Sequence, residues 1–371
     1  MQAASVVWSM AVTEPAQSFH RPVTRSEAQP VAFPAHLRMP RVLGEGGSAI
    51  VYRAFDSYLG VHVAIKVPCE EKRSDRHARQ RLLQEATLHA RLDSPCLPAI
   101  YDVDELPDGT PYMVMEEVRG PTLAELITQG RLRVDFCCET ALKLLDALKE
   151  LHLARVVHLD IKPSNLILEY AQGRPSRVRI LDLGIARSIV DGAVDLPWQE
   201  GLAGTPHYMS PEQLSGHGVD TRTDLYAVGV VLYELLSRHT PFSGTTVSDV
   251  IASVLRDEPL AVSTLRDDLP EGLAQVVACA MAKSRDRRFQ SAEAMSDALR
   301  AVMRRHSEFM TSCERIASMF HPRTPAPPRS HRRRSPLRVG ITCGLTLLAL
   351  ASLGVPARAY DPPVASSGYA E

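Results

Sequence analysis

The feature that most constrains the fold is a change of hydrophobic period near residue 120. Between residues 42 and 67, short apolar or β-branched runs are separated by glycine and polar residues, a pattern typical of strands. A helix is predicted over 75–92, and a hairpin joins 99–103 to 112–118. Further on, helical stripes such as 141–151 predominate. The chain is therefore predicted to be α+β, with a β-rich N-lobe and a mostly helical C-lobe.

Composition narrows the class of protein. Of the 371 residues 45% are hydrophobic, which is enough for a sizeable core. Lysine plus arginine (42) nearly balance aspartate plus glutamate (43), so no nucleic-acid partner is expected. The seven cysteines include no CxxC pair, and we expect reduced thiols in a cytosolic setting.

Shifts in composition predict the organisation of the chain. The composition of residues 1–37 predicts a flexible leader, and this leader lacks the basic start of a secretory signal. Residues 38–304 are predicted to form one folded domain. Residues 305–338 predict a basic linker rich in proline and arginine, followed by an uncharged apolar helix at 339–355 and a short tail at 356–371.

The apolar helix at 339–355 is predicted to span a membrane, since its 17 residues reach roughly 25 Å and such lengths fall within the accepted range. Arginines lie mainly before it, which predicts a single-pass protein of the inner or cell membrane with its folded domain in the cytoplasm. A helix packing on the domain or on a partner is the alternative. Cleavage near 356–359, after a signal-like pattern, is another.

Two motifs in the strand-rich part suggest phosphate chemistry. Gly44, Gly46 and Gly47 lie between two predicted strands, where their backbone can approach phosphates, although such a segment can also be an ordinary turn. Because the segment joins strand to strand, a dinucleotide-binding site is disfavoured. Lys66 ends an apolar strand and can neutralise phosphate charge if a carboxylate holds it. Glu85, on the following helix, is the candidate.

Two further motifs supply acid–base and metal chemistry. The polar loop 158–165 lies between apolar runs and contains Asp160 to accept a hydroxyl proton, Lys162 to balance phosphoryl charge and Asn165 to hold Mg²⁺. Asp182, followed by Leu183-Gly184, can chelate a Mg²⁺ that bridges phosphates.

These motifs, in this order and spacing, resemble those of the serine/threonine protein kinases, in particular the bacterial (Hanks-type) branch. The resemblance covers roughly residues 38–304. It implies a two-lobed kinase fold that transfers the γ-phosphoryl of ATP to serine or threonine of protein substrates, with Mg²⁺ or Mn²⁺. Lys162 and the segment Gly204–Glu212 match the serine/threonine version of the family pattern.

The same resemblance assigns residue roles. It implies catalytic roles for Asp160, Lys162, Lys66 and Glu85, and metal ligation by Asn165 and Asp182. It further implies that Asp224 braces the catalytic loop, that Glu212 pairs with Arg288, and that Thr205 bridges Asp160 and Lys162. The implied nucleotide-binding residues are Leu43, Gly44, Glu45, Gly46, Gly47, Ser48, Val51, Ala64, Lys66, Met115, Glu116 and Val118.

The sequence departs from the family pattern at Ala49, Leu183 and above all Leu159, where an arginine that pairs with an activation-loop phosphate is expected. Residues 189–203 contain no serine, threonine or tyrosine. Both halves of the phosphate switch are therefore missing, which predicts a loop ordered without phosphorylation. Trp198 and Leu202 are candidates to pack in place of charge.

Two alternatives remain open from the sequence. A pseudokinase would serve as a nucleotide-binding signalling scaffold, although Lys66, Asp160 and Asp182 are all retained. A small-molecule phosphotransferase of similar fold would lack the docking segment 205–212, which this chain has.

Overall fold

The computed structural model describes residues 31–73, 75–92, 94–188 and 205–320. The chain divides into two compact units, Met1–Ser318 and Met319–Glu371. Nearly all of the described residues belong to the first unit, which contains every described strand and all but the last residues of the last described helix.

The N-lobe is an antiparallel sheet in the order β1-β2-β3-β5-β4. Its strands are β1 (Leu37–Glu45), β2 (Ala49–Asp56), β3 (Val61–Pro68), β4 (Ile100–Glu105) and β5 (Pro111–Glu116). Alternate residues of β2 are buried, as expected of a strand with one face on a core. Helix α1 (Arg76–Arg91) packs on this sheet, and Asp75 caps its first turn by accepting from the His77 amide. The predicted helix and hairpin of this lobe are confirmed.

The folded N-lobe begins earlier than predicted. Val31 and Phe33 pack against the buried cluster of the sheet, and the Phe33 ring lies 5.2 Å from that of Tyr52 and 6.1 Å from that of Tyr112. Leu37, placed in the predicted leader, starts β1 and is buried. A few scattered apolar residues have no period of their own, so no sequence pattern indicated that they would pack there.

The C-lobe is mostly helical. Its helices are α2 (Leu123–Gln129), α3 (Val134–Leu153), α4 (Pro211–Leu214), α5 (Thr221–Ser237), α6 (Val247–Arg256), α7 (Val262–Leu265), α8 (Leu273–Ala280) and α9 (Ala292–Phe320). The predicted stripe of α3 between Ala141 and Leu151 is buried against α5, which is itself almost entirely inside the lobe. The α+β prediction with two lobes is confirmed.

Short strands complete the edge of the C-lobe that faces the sheet. β6 (Val156–Val157) pairs with β9 (Arg187–Ser188), and β7 (Leu166–Ala171) pairs with β8 (Arg174–Ile180). The ribbon formed by β7 and β8 packs on α3. The loop between β6 and β7 and the turn after β8 therefore lie side by side at the lobe boundary.

The C-terminal end of the domain also differs from the prediction. Residues 305–320, predicted to be linker, continue α9 to Phe320. They contain no proline or glycine, so nothing in the sequence breaks the helix before Pro322. Among the described residues, no helix is both long and apolar enough to cross a bilayer. The predicted span 339–355 and tail 356–371 lie outside the described residues, as do Trp198 and Leu202.

Candidate active site

Lys66 is held by two carboxylates at the lobe boundary. β3 places it opposite α1, and its ammonium donates to both carboxylate oxygens of Glu85 at 2.7 Å. It also donates to Oδ1 of Asp182, which follows β8, at 2.8 Å. The structure therefore brings together three predicted site residues that are far apart in sequence.

The charges of this cluster do not balance. Burial lowers the pKa of Lys66, but Asp182 and Glu85 outweigh it and hold that pKa above its usual value. Burial raises the pKa of Glu85 to about 7, despite the opposing attraction of Lys66. For Asp182, Lys66 outweighs burial and keeps the pKa well below its ordinary range. When both carboxylates are ionised, the single ammonium of Lys66 leaves one negative charge that a cation can neutralise.

The catalytic loop places Asp160 beside two partners. Lys162 donates to Oδ2 of Asp160 at 2.7 Å, and the Asn165 amide donates to the same oxygen at 2.9 Å. Asn165 also donates to the Asp160 carbonyl at 3.1 Å. These bonds use the side-chain nitrogen of Asn165, and its side-chain oxygen is left to accept from or coordinate another group.

Asn165 and Asp182 fit the requirements of Mg²⁺. The Leu181 amide donates to the Asn165 carbonyl at 2.9 Å, which sets the two segments next to each other. The Asp182 side chain is 33% exposed, so its carboxylate is not enclosed. A carboxylate and an amide oxygen are hard ligands of the kind that Mg²⁺ takes together with phosphates and water.

Asp224, near the start of α5, fixes the backbone conformation of the catalytic loop by accepting hydrogen bonds from its amides. Its buried carboxylate accepts from the amides of His158 and Leu159, both at 2.9 Å, and lies 2.8 Å from Nε2 of His152. Leu159 has a φ of +69°, an uncommon conformation for a residue with a side chain. The two hydrogen bonds therefore hold a backbone turn that would otherwise be unfavourable.

The Leu159 side chain is buried where the family pattern has an arginine. It forms a small apolar cluster with Val157 and Val219, against which Ile185 packs. Ile185 belongs to the segment that follows Asp182, so the cluster connects the catalytic loop to the start of the activation segment by apolar contact.

The glycine-rich turn lies between β1 and β2. The Gly46 amide donates to the Ala49 carbonyl at 2.9 Å, and Lys72 donates to the Gly47 carbonyl at 2.6 Å. Beneath the sheet, Val51 packs against a cluster that contains Ala64 and Met115. The structure thus gathers these predicted nucleotide-binding positions on one side of the sheet.

The predicted hinge contains a contact that the sequence did not reveal. Glu116, the last residue of β5, pairs with Arg179 of β8, whose guanidinium is buried. The same guanidinium pairs with Glu169 of β7 at 3.1 Å. An arginine flanked by Val178 and Ile180 in a buried strand was the one available signal.

The docking segment is anchored as the resemblance implied. Both carboxylate oxygens of Glu212 accept from the Arg288 guanidinium, at 2.7 and 2.8 Å. Gln213 donates to the Leu159 carbonyl at 2.8 Å, which ties this segment to the catalytic loop. Within the described residues, Thr205 makes no side-chain hydrogen bond to Asp160 or Lys162, so the implied bridge is not seen.

Comparison with known proteins agrees with this geometry. A family model described as the protein kinase domain matches residues 37–300. A probable serine/threonine-protein kinase of Streptomyces coelicolor is 39% identical over 68% of this chain and 38% of its own length. The serine/threonine-protein kinase PknB of Mycobacterium tuberculosis is 34% identical over 71% of this chain and 42% of its own length.

The chain spans less than half the length of these two curated relatives. The matched part nevertheless includes both lobes, the Lys66–Glu85 pair, the catalytic loop and the docking segment. The chain therefore belongs to the protein kinase family, in the branch of the bacterial serine/threonine kinases.

Proposed function

We propose that this chain transfers the γ-phosphoryl group of ATP to serine or threonine hydroxyls of protein substrates. The observation that carries the proposal is the placement of Asp160 within hydrogen-bond distance of Lys162 and Asn165, next to the Lys66–Glu85–Asp182 cluster. In the transfer, the acceptor oxygen forms a bond to the γ-phosphorus. At the same time the bond between the γ-phosphorus and the β–γ bridging oxygen breaks, and ADP leaves.

The residues divide this chemistry among them. Asp160 orients the acceptor hydroxyl and takes its proton, and burial, partly offset by Lys162, raises the pKa of Asp160 and makes it a better acceptor. Lys162 and Lys66 balance phosphoryl charge. Asn165 and Asp182 would hold Mg²⁺, which when bound neutralises phosphate charge.

The direct test uses the purified full chain with labelled ATP, Mg²⁺ or Mn²⁺ and generic protein acceptors. We expect label on phosphoserine or phosphothreonine, identified by mass spectrometry. Nucleotide binding without any transfer would support a pseudokinase scaffold instead. Transfer to small-molecule hydroxyls alone would support a small-molecule phosphotransferase.

We further propose that activity does not depend on activation-loop phosphorylation. The apolar cluster of Leu159, Val157 and Val219 supports this, because it occupies the place where a phosphate-binding arginine would lie. Phosphatase treatment is therefore expected to leave kcat unchanged. Heat-inactivated phosphatase serves as the control, and mass spectrometry verifies dephosphorylation. A large loss of activity would contradict the proposal.

The apolar run at 339–355, preceded by a cluster of arginines, supports a membrane tether with the kinase domain in the cytoplasm. We expect the full chain to remain in the membrane pellet after carbonate extraction. A chain ending at residue 338 is expected in the supernatant. Release of both forms would overturn the tether.

A further inference from the structure

We propose that Arg179 is a positioning residue for the nucleotide, because it locks the hinge end of β5 to the C-lobe through Glu116. This inference rests on the proposed function, in which the backbone of the hinge at Met115–Val118 binds the adenine of ATP.

The contact joins the two lobes through a bidentate ion pair, the fork, in which two guanidinium nitrogens of Arg179 meet the two carboxylate oxygens of Glu116. From β8, Arg179 donates to the two carboxylate oxygens of Glu116 at 2.5 and 3.2 Å. It also donates to the Leu97 carbonyl, in the connection between α1 and β4, at 2.9 Å. A bidentate pair of this kind fixes orientation as well as distance. A C-lobe side chain thus fixes the last residue of an N-lobe strand.

Glu116 is held on its other side as well. Its amide donates to the Ala99 carbonyl at 2.8 Å, and its carboxylate accepts from the Ala99 amide at 3.1 Å. The side chain and amide of Glu116 are therefore both committed to neighbours within the protein. The hinge end of β5 is therefore held both by the C-lobe and by the connection between α1 and β4.

The charges around Arg179 indicate that its side chain positions Glu116 and does not merely fill space in the core. The Arg179 side chain is 7% exposed and serves two carboxylates, Glu116 and Glu169. Burial raises the pKa of Glu116, but Arg179 outweighs it and keeps that pKa below its usual value. Loss of the guanidinium would leave the charged Glu116 carboxylate with the Ala99 amide as its remaining partner, and would remove the link between the hinge end of β5 and β8.

The arrangement also explains which residue makes a good control. Glu169 lies on β7 and contacts Arg179 through Nη1 alone, within the ribbon of β7 and β8. Removing its charge weakens one ion pair of Arg179 but leaves the bidentate contact with Glu116 in place. Glu169→Gln should therefore disturb the surroundings of Arg179 without releasing the hinge.

The test compares Arg179→Gln, Arg179→Lys, Glu116→Gln and Glu169→Gln in the full chain. For Arg179→Gln and Glu116→Gln we expect the KM for ATP, and the Kd for ATP and for adenosine by calorimetry, to rise about tenfold, the equivalent of one charged hydrogen bond. The kcat should stay near the wild-type value. Lysine keeps the charge without the fork and is expected to restore part of the affinity.

Three outcomes would overturn the inference. They are an unchanged Kd for adenosine in both Arg179→Gln and Glu116→Gln, an equal loss in Glu169→Gln, or a fall in kcat with no change in KM. Glu116→Gln keeps the test decisive if Arg179→Gln does not fold. Wild-type protein that binds no nucleotide would overturn the proposed function and this inference together, whereas unchanged variants of an active wild type would overturn this inference alone.

Discussion

Replacement of Asp160 by asparagine is expected to lower kcat by about 10²–10⁴-fold, the usual contribution of a positioned general base. The side chains have nearly the same shape, and the amide oxygen can still accept from Lys162, which lies 2.7 Å from the present carboxylate. What the amide cannot do is take the proton of the acceptor hydroxyl. Transfer of label from ATP to protein is the measurement.

The control variant is Asp146→Asn, which makes the same chemical change on an exposed part of α3. It should retain wild-type activity, and both variants should keep the wild-type affinity for ATP by calorimetry. If Asp160→Asn loses ATP affinity along with kcat, the loop has been distorted and the base assignment is not supported. Wild-type activity in Asp160→Asn would contradict the assignment outright.

The sequence predicted those parts of the site that lie within motifs. Lys66 and Glu85 could be paired because a strand and the helix after it carry them in a known order, and the structure places them 2.7 Å apart. Asp224 and Arg288 were predicted by resemblance, and their partners were those implied. The residues of these pairs are far apart in the chain, but each stands in a motif whose order and spacing the family pattern supplies.

The parts that were missed depend on packing between distant segments. Arg179 meets Glu116 only because the β7–β8 ribbon lies against the end of β5, a placement that no local period encodes. The apolar surroundings of Leu159 are of the same kind, since Val219 comes from a separate segment. The folded structure extends beyond the predicted bounds for a different reason: Phe33 and residues 305–320 continue it without a distinctive pattern.

The second large effect is expected on stability. Replacement of Arg288 by methionine should lower the free energy of unfolding by about 3–5 kcal/mol, as found when one partner of a buried ion pair is removed. The Arg288 side chain is 0% exposed and that of Glu212 is 7% exposed, so the remaining carboxylate would be isolated from water. The carbonyls of Ala282 and Lys283 would lose a donor as well.

Arg287→Met is the matched control, because Arg287 precedes Arg288 and is exposed. It should unfold in urea at the wild-type midpoint, whereas Arg288→Met should unfold at a clearly lower concentration. A deficit of equal size in both variants would show that the loss does not come from the ion pair with Glu212.

The pH dependence of the stability loss in Arg288→Met tests whether the isolated Glu212 carboxylate causes it. In the wild type, burial raises the pKa of Glu212, but Arg288 outweighs burial and holds that pKa below its usual value. The ion pair therefore stabilises the fold at pH values above the pKa that Glu212 has in the unfolded chain. This contribution is lost as the pH falls through the lower pKa of the folded state. In Arg288→Met burial is opposed only by the remaining hydrogen bonds of Glu212, such as the one it accepts from the Thr223 hydroxyl, and the pKa of Glu212 should rise. The deficit relative to wild type should then be largest near neutral pH and shrink toward about pH 5, as Glu212 takes up a proton. A deficit that does not change with pH would assign the loss to packing and to the unsatisfied carbonyls.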